Sequence, residues 1–211
     1  MSLESRNILN EQIKNIFAPI LRADGFKGSG RTFRRVRGEL IHVVNIQNYR
    51  YGGMFAVNLG VNLTFLLDSI GKQVDVKNIT EPLCEFRRRM TNGVTDQWWS
   101  YKDNFKSIHK AVSDMIKVYE NCGRKQLETF RYYPQDFAFV DVNYLKSDYI
   151  DFGGFWNTRV RYALTFALIR QYENNFNEAI EFAEYGLEIL GQATGLRKYF
   201  EKIISDCKLS K

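Results

Sequence analysis

Few residues in this chain are equipped for acid–base, nucleophilic or metal chemistry. It has two histidines, His42 and His109, and three cysteines, Cys84, Cys122 and Cys207, in 211 residues. His42 falls on the apolar side of a strand pattern, the setting of a hydrogen-bonded core histidine, and His109 sits on the flank of an amphipathic helix where water reaches it. The cysteines are odd in number and lack metal-site spacing, so they read as reduced thiols serving as small hydrophobes. Two histidines without paired cysteines or carboxylates do not make a zinc site. Asp141, Asp148 and Asp151 form an acidic cluster that a magnesium-dependent nuclease could use, but their spacing is irregular and solvated loop charges are the simpler reading. There is no Gly-x-Ser-x-Gly elbow, phosphate-loop lysine motif or zinc-protease helix. Gly28-Ser29-Gly30 precedes a strand rather than a helix, and so reads as a turn and not as a phosphate loop. No catalytic residue, metal ligand or cofactor is assigned.

Binding is better supplied. Between Arg31 and Leu63, Arg, Asn and Gln alternate with large apolar residues, the pattern of an antiparallel sheet with one oily and one amide-rich face. Amides both donate and accept hydrogen bonds, and arginine adds bidentate recognition of carboxylate or phosphate. The expected binding residues are Arg34, Arg35, Asn45, Gln47, Asn58, Asn62 and Trp99. A structural reading stands beside this one, in which the amides knit the strands together or meet the C-terminal helices.

The elements that would position these residues follow from periodicity. Leu9, Ile13, Ile16, Phe17, Ile20 and Leu21 recur at helical spacing, with a kink expected at Pro19 and a glycine stop at Asp24-Gly25. Strands are expected at Arg31–Arg37, Leu40–Asn48 and Phe55–Leu63. With Asn45 opposite Asn58, one face becomes almost wholly apolar; a slip of one residue would bury the amides. A two-residue turn at Gly38-Glu39 puts Phe33 on the oily face and Thr32 and Arg34 on the amide face; a three-residue turn exchanges these for Arg35 and Arg37. A short helix is expected over Glu81–Met90, carrying Arg87-Arg88-Arg89 as a solvated run, then an edge strand around Trp98-Trp99. Successive strand residues alternate faces, so one of these tryptophans goes to the core and the other is left to stack a ligand, a base or the helical tail. Asp103 or Asn104 should cap a further helix with Phe105, Ile108, Val112, Met115, Ile116 and Tyr119 on its inner stripe and Gly123 at its end.

Residues 124–156 read as an irregular connector. Three amphipathic helices follow at 158–172, 177–190 and 196–208, joined by short loops that favour antiparallel neighbours. The expected fold class is α+β: an antiparallel sheet of about four strands with helices on its apolar face (residues 1–123), then a C-terminal antiparallel helical subdomain (residues 157–211) packed on it.

Thirty Lys and Arg against 24 Asp and Glu leave a net charge of +6. Much of the excess lies between Arg22 and Arg50, a mild attraction for phosphate or for an acidic protein. No apolar run approaches the roughly 20 residues needed to span a bilayer. The N-terminus lacks a basic segment followed by an apolar core, so a soluble cytoplasmic protein without membrane contact is expected.

Gly25-Phe26, Gly30-x-Thr32-Phe33-x-Arg35, Val44-Asn45-Ile46-Gln47, Phe55-x-Val57-Asn58-Leu59-Gly60-Val61 and Trp98-Trp99 together resemble the bacterial domain-of-unknown-function family 4304 over about the first 120 residues. The resemblance implies a small α+β domain in bacterial cytoplasm and carries no activity with it. Leu168, Tyr172, Phe176, Ala179, Ala183 and Leu187 further resemble a tetratricopeptide helix pair with a shortened turn. The expected function is a non-catalytic protein-interaction or ligand-binding module, an immunity or antitoxin role being one specific form. The alternative is RNA or single-stranded DNA binding, with Arg34, Arg35, Arg37 and Arg50 on phosphates and Tyr49, Tyr51 or Trp99 stacking bases.

Overall fold

The computed structural model describes residues 3–67, 72–93 and 96–210. The chain forms two compact units, one of Met1–Asn62 with Asp75–Arg131 and one of Leu63–Val74 with Tyr132–Lys211.

The first unit opens with α1 (Leu3–Gln12), a π-helical turn (Ile13–Phe17) and α2 (Ala18–Ala23). The kink expected at Pro19 takes the form of that π turn. Proline brings no N–H and its ring crowds the carbonyl one turn back, and a wider turn just before it makes room. Gly25, at φ +87°, then releases the chain from the helix.

Six strands follow: β1 (Lys27–Ser29), β2 (Thr32–Arg37), β3 (Leu40–Asn48), β4 (Met54–Leu63), β5 (Phe86–Arg89) and β6 (Trp99–Ser100). They make one sheet in the order β1-β2-β3-β4-β5, with β6 also pairing to β4. Of the two turns left open by the sequence, the two-residue one forms. Arg37 lies opposite Leu40, Phe33 opposite Val44 and Thr32 opposite Asn45, with Gly38 at φ +54° in the first turn position. The Tyr49 N–H donates to the Met54 carbonyl at 3.0 Å, the same offset as Asn45 opposite Asn58.

One expectation fails here. Glu81–Met90 is not a helix but a short 3-10 turn (Glu81–Leu83) leading into β5. β4 presents an edge whose backbone groups need partners, and this segment supplies them. Phe86 lies opposite Val61, Arg88 opposite Leu59 and Arg89 opposite Asn58.

After β6 come α3 (Phe105–Val118), a second π turn (Tyr119–Gly123) and α4 (Arg124–Leu127). Asn104 caps α3, its Oδ1 accepting from the Ser107 N–H at 2.9 Å. The helical run passes through Gly123 instead of stopping there. A Cβ at Gly123 would press on Met90 and on the Tyr119 ring, so close packing holds this glycine within the run. Ile108, Val112, Met115 and Tyr119 are buried, as are Leu9, Ile13, Phe17 and Leu21 of the first helical run and Phe33, Val44, Phe55, Val57 and Leu59 of the oily face. Phe17 meets Tyr119 edge-on with ring centres 5.2 Å apart. Each such side chain contributes roughly 1.5–3 kcal/mol by leaving water.

In the second unit, the stretch read as a connector contains a 3-10 turn (Gln135–Phe137) and α5 (Val142–Lys146). The three expected helices are α6 (Arg159–Tyr172), α7 (Phe176–Glu188) and α8 (Arg197–Leu209). Phe65, from the short Leu63–Val74 piece, stacks flat on Tyr172 with ring centres 3.8 Å apart. Arg170 is buried yet fully engaged: Nε donates to Glu178 at 2.6 Å, Nη1 to Glu173 at 2.8 Å, and Nη2 to the Phe137 and Val140 carbonyls. Among the described residues no helix is long and apolar enough to cross a membrane.

Glycine inside a helix normally costs about 1 kcal/mol relative to alanine. Gly186 of α7 reverses that sign, because a Cβ there would overlap the Phe200 ring of α8. Gly186→Ala is expected to lower the urea midpoint, with a loss of about 1–3 kcal/mol, and Phe200→Leu in the same chain should recover part of it. A Gly186→Ala protein as stable as the parent would refute this packing.

Candidate functional site

Alternation along β2, β3 and β4 gives the amide face Thr32, Arg34, Asn45, Gln47, Asn58 and Asn62 beside Ile41 and Val43. The pairing of β5 adds Arg89, opposite Asn58, and Arg87, opposite Gly60. Within the first unit, one end of this face is roofed by the stretch that follows Asp75. Arg34 donates from Nε to the Ile79 carbonyl and from Nη2 to the Asn78 carbonyl at 3.3 Å. A Cβ on Gly60 would lie 2.7 Å from Cys84 Sγ, so the roof touches the sheet backbone there. Ile41, Val43 and Asn62 are buried.

The other end is open. Gln47 is exposed and Asn45 half-buried. Asn58 Nδ2 donates to Gln47 Oε1 at 2.9 Å, and Asn45 Nδ2 to Thr32 Oγ1 at 3.0 Å. The amides therefore knit neighbouring strands, as the structural reading has it, while the Gln47 amide nitrogen remains free to donate outward. Beside them runs a connected aromatic strip. Tyr49 meets Tyr51 and Trp98 edge-on, at 5.4 and 5.7 Å. Arg50 lies over the Tyr51 ring at 4.8 Å and Arg89 over Trp98 at 4.7 Å. Tyr51 is 68% exposed and Tyr49 37%.

Two of the expected binding residues lie elsewhere. Trp99 pairs opposite Phe55 and stacks on it at 5.8 Å, on the oily face and buried; Trp98 is the tryptophan on the amide side. Arg35 is opposite His42, also on the oily face. The two-residue turn decides this, since it sends Arg34 to the amide face and Arg35 to the oily one. Arg34, Asn45, Gln47, Asn58 and Asn62 do share the amide face, with Arg34 under the roof and Asn62 buried. Sequence reasoning missed Arg89 and Trp98 as partners. The signal for Arg89 was its parity with Asn58, which counts only once 86–89 is read as a strand.

Arg35 and His42 belong to a buried polar network. Arg35 donates from Nη1 to the Asp24 carbonyl and from Nη2 to Glu128 Oε1, each at 3.2 Å, and its guanidinium lies 4.7 Å over the Phe26 ring. Arg37 shares the same Glu128 oxygen at 2.9 Å. Asp24 Oδ2 accepts from the Tyr119 hydroxyl and from Arg124 Nε, both at 2.8 Å. Burial, reinforced by that bond to a carboxylate, pushes the Tyr119 hydroxyl well above the ordinary phenol range. The arrangement ties strand to helix and has no group poised to react. Two members of the acidic cluster are likewise engaged in structure. Asp141 caps α5 through the Tyr144 N–H at 2.6 Å, and Asp151 Oδ1 accepts from the Gly154 N–H at 3.0 Å. His109 Nδ1 faces Gln12 Oε1 at 2.7 Å. Burial raises the Cys84 thiol well above its usual range, which keeps it protonated. Among the described residues no three His, Cys, Asp or Glu side chains are grouped to hold a metal ion.

Comparison with known proteins gives a family match: the family model described as Domain of unknown function (DUF4304) matches residues 17–134. No curated protein and no solved structure matches the chain.

His42 Nε2 donates to the Phe130 carbonyl at 2.7 Å and Nδ1 is buried without a partner. Burial, and next the charge of Arg35, lower its pKa from 6.5 to about 4. The unfolded chain therefore takes up this proton first, and stability is lost as pH falls from 6.5 to about 4. The full loss is roughly 3 kcal/mol. Urea titrations across that range should show a shallower pH slope for His42→Gln than for the parent; equal slopes would remove His42 from the account.

Proposed function

Since the chain belongs to the family of Domain of unknown function (DUF4304), whose description names no activity, we propose from its geometry that it is a protein-interaction module docking a partner on the open end of the amide face. The observation that carries this reading is the continuous strip of Tyr51, Tyr49 and Trp98, flanked by Arg50 and Arg89 and bordered by the Gln47–Asn58 amide pair. Tyrosine, tryptophan and arginine are the residues that dominate binding energy at protein interfaces, because each offers large contact area together with a polar end. Preordered rings lose little freedom on docking, and amides at the border supply directional hydrogen bonds. An immunity or antitoxin role, in which the positive surface meets an acidic partner, is one form of this reading.

Single-stranded RNA or DNA is the alternative occupant, since bases stack on the same rings. The committed state of the basic strand region weighs against it. Arg34 is held by two backbone carbonyls, and Arg35 and Arg37 converge on Glu128. Of the four arginines expected on phosphates, Arg50 alone keeps its guanidinium for an outside contact; its described interaction is the one with the Tyr51 ring.

The test is affinity capture of a protein partner with the parent chain and with the Gln47→Ala and Tyr51→Ala variants, beside titrations of single-stranded RNA and DNA over a salt series. Tyr51 is exposed enough that its removal should leave the fold intact. Tyr51→Ala is expected to weaken the captured complex by about 2 kcal/mol, roughly thirtyfold, with little dependence on salt. Tight RNA or DNA binding that collapses with rising salt, and no protein complex sensitive to Tyr51, would transfer the face to nucleic acid.

A further inference from the structure

A cavity of about 450 Å³ in the first unit is lined by four cations, Arg6, Lys14, Arg22 and Arg31. Arg6 lies in α1, Lys14 in the π turn, Arg22 in α2 and Arg31 between β1 and β2. Their convergence has a local cause. Around an uninterrupted α-helix, Arg6 and Arg22 would sit about 160° apart; the residue inserted by the π turn cuts this to about 60°. The distortion that accommodates Pro19 thus turns two distant arginines toward one cavity.

Neutralisation within the chain is incomplete. Among the described residues no carboxylate oxygen lies within 4.0 Å of any of the four cations, although Glu11 also lines the cavity. Arg31 is held by Asn10, whose Oδ1 accepts from Nε at 3.0 Å and from Nη2 at 2.8 Å. That neutral acceptor fixes the guanidinium plane without cancelling its charge, and Nη1 is left to donate. Burial and the charge of Arg6 both disfavour the Arg31 cation, as expected where positive charges gather without a counter-ion. Ala18 and Phe33 border the cavity but are buried, so the surface it offers a ligand is that of the cationic and polar side chains and of Ser29-Gly30.

We propose that this cavity binds a small phosphate monoester through its phosphoryl group, held among Arg6, Arg22 and Arg31. A monoester carries roughly two negative charges near neutral pH and three acceptor oxygens, which suits several cations facing one carboxylate better than a monocarboxylate does. The volume is that of a small-ligand site. This assignment is independent of the amide face and shares no residue with it.

Calorimetric titration with phenyl phosphate, inorganic phosphate and benzoate tests it. Phenyl phosphate should bind saturably at one site, and benzoate at least about tenfold more weakly. Arg6→Gln and Arg22→Gln, both at exposed positions, should each weaken phenyl phosphate by about tenfold or more while the thermal melt stays at the parent's temperature. Lys14→Gln provides a further exposed variant should either arginine variant melt early. Inorganic phosphate, which presents the same oxygens, should bind the same site and lose affinity in the same variants. No saturable binding of phenyl phosphate, or binding indifferent to all three variants, would overturn the proposal. So would an oligonucleotide without a terminal phosphate that binds through Arg6 and Arg22 while phenyl phosphate does not.

Discussion

The turn at Gly38-Glu39 governs the sheet unit, because side chains alternate along a strand and the length of one turn settles the parity of everything before it. Two turn residues set Arg37 opposite Leu40, and the same count sets Arg35 opposite His42 and Phe33 opposite Val44. The Arg35 guanidinium and the His42 imidazole are thereby committed to the buried part of a face lined mainly by hydrocarbon. Such groups persist only where partners meet them. The Asp24 carbonyl, Glu128, the Phe130 carbonyl and the Phe26 ring do so, drawn from the end of α2, the segment after it and the exit of α4. The network therefore serves as a check on register: a slip would leave Glu128 and Asp24 facing hydrocarbon as well as exposing Phe33.

The same alternation works on the far side of β4. Arg89 and Trp98 reach the amide face, while Phe86 and Trp99 go to the core. β5 and β6 pair with successive parts of one edge, so that an arginine from one and a tryptophan beside the other become stacking partners. Neither strand is long enough to be stable alone. Their pairing with β4 gives the aromatic strip a fixed geometry, and rings already in contact lose little entropy when a partner arrives.

Much of this was legible in the sequence because it depends on short-range pattern. The apolar alternation of β3 and β4, the Asn104 cap, the break at Pro19 and the three C-terminal helices each follow from residues within a turn or two of one another. What escaped depends on distant pieces of chain. Residues 86–89 read as part of a helix because nothing local announces that β4 will offer them an edge. Parity for Trp98 and Trp99 could be stated, but not which of them faces inward, until the pairing of Phe55 with Trp99 is known. Nothing in the sequence around Arg170 marks it for burial; two glutamates and two carbonyls from separate elements make that burial tolerable. The network around Arg35 was invisible for the same reason, since Glu128 lies 93 residues away along the chain.

A net charge of +6 describes this chain less well than the partners of its cations do. Arginines are densest from Arg31 to Arg37, which drew attention to that region as a surface for anions. In the folded chain Arg34 and Arg35 are held by carbonyls and by Glu128, and Arg37 by the same carboxylate. Arg6, Lys14 and Arg22 are thinly spread along the sequence and attract no notice there, yet a single π turn rotates them toward the cavity that Arg31 also lines. Coulomb attraction on an outside ligand is set by charge that the protein has not already cancelled. The positive potential of the first unit should therefore be strongest at this cavity, beside the helical run and not along the strand where the arginines are most numerous.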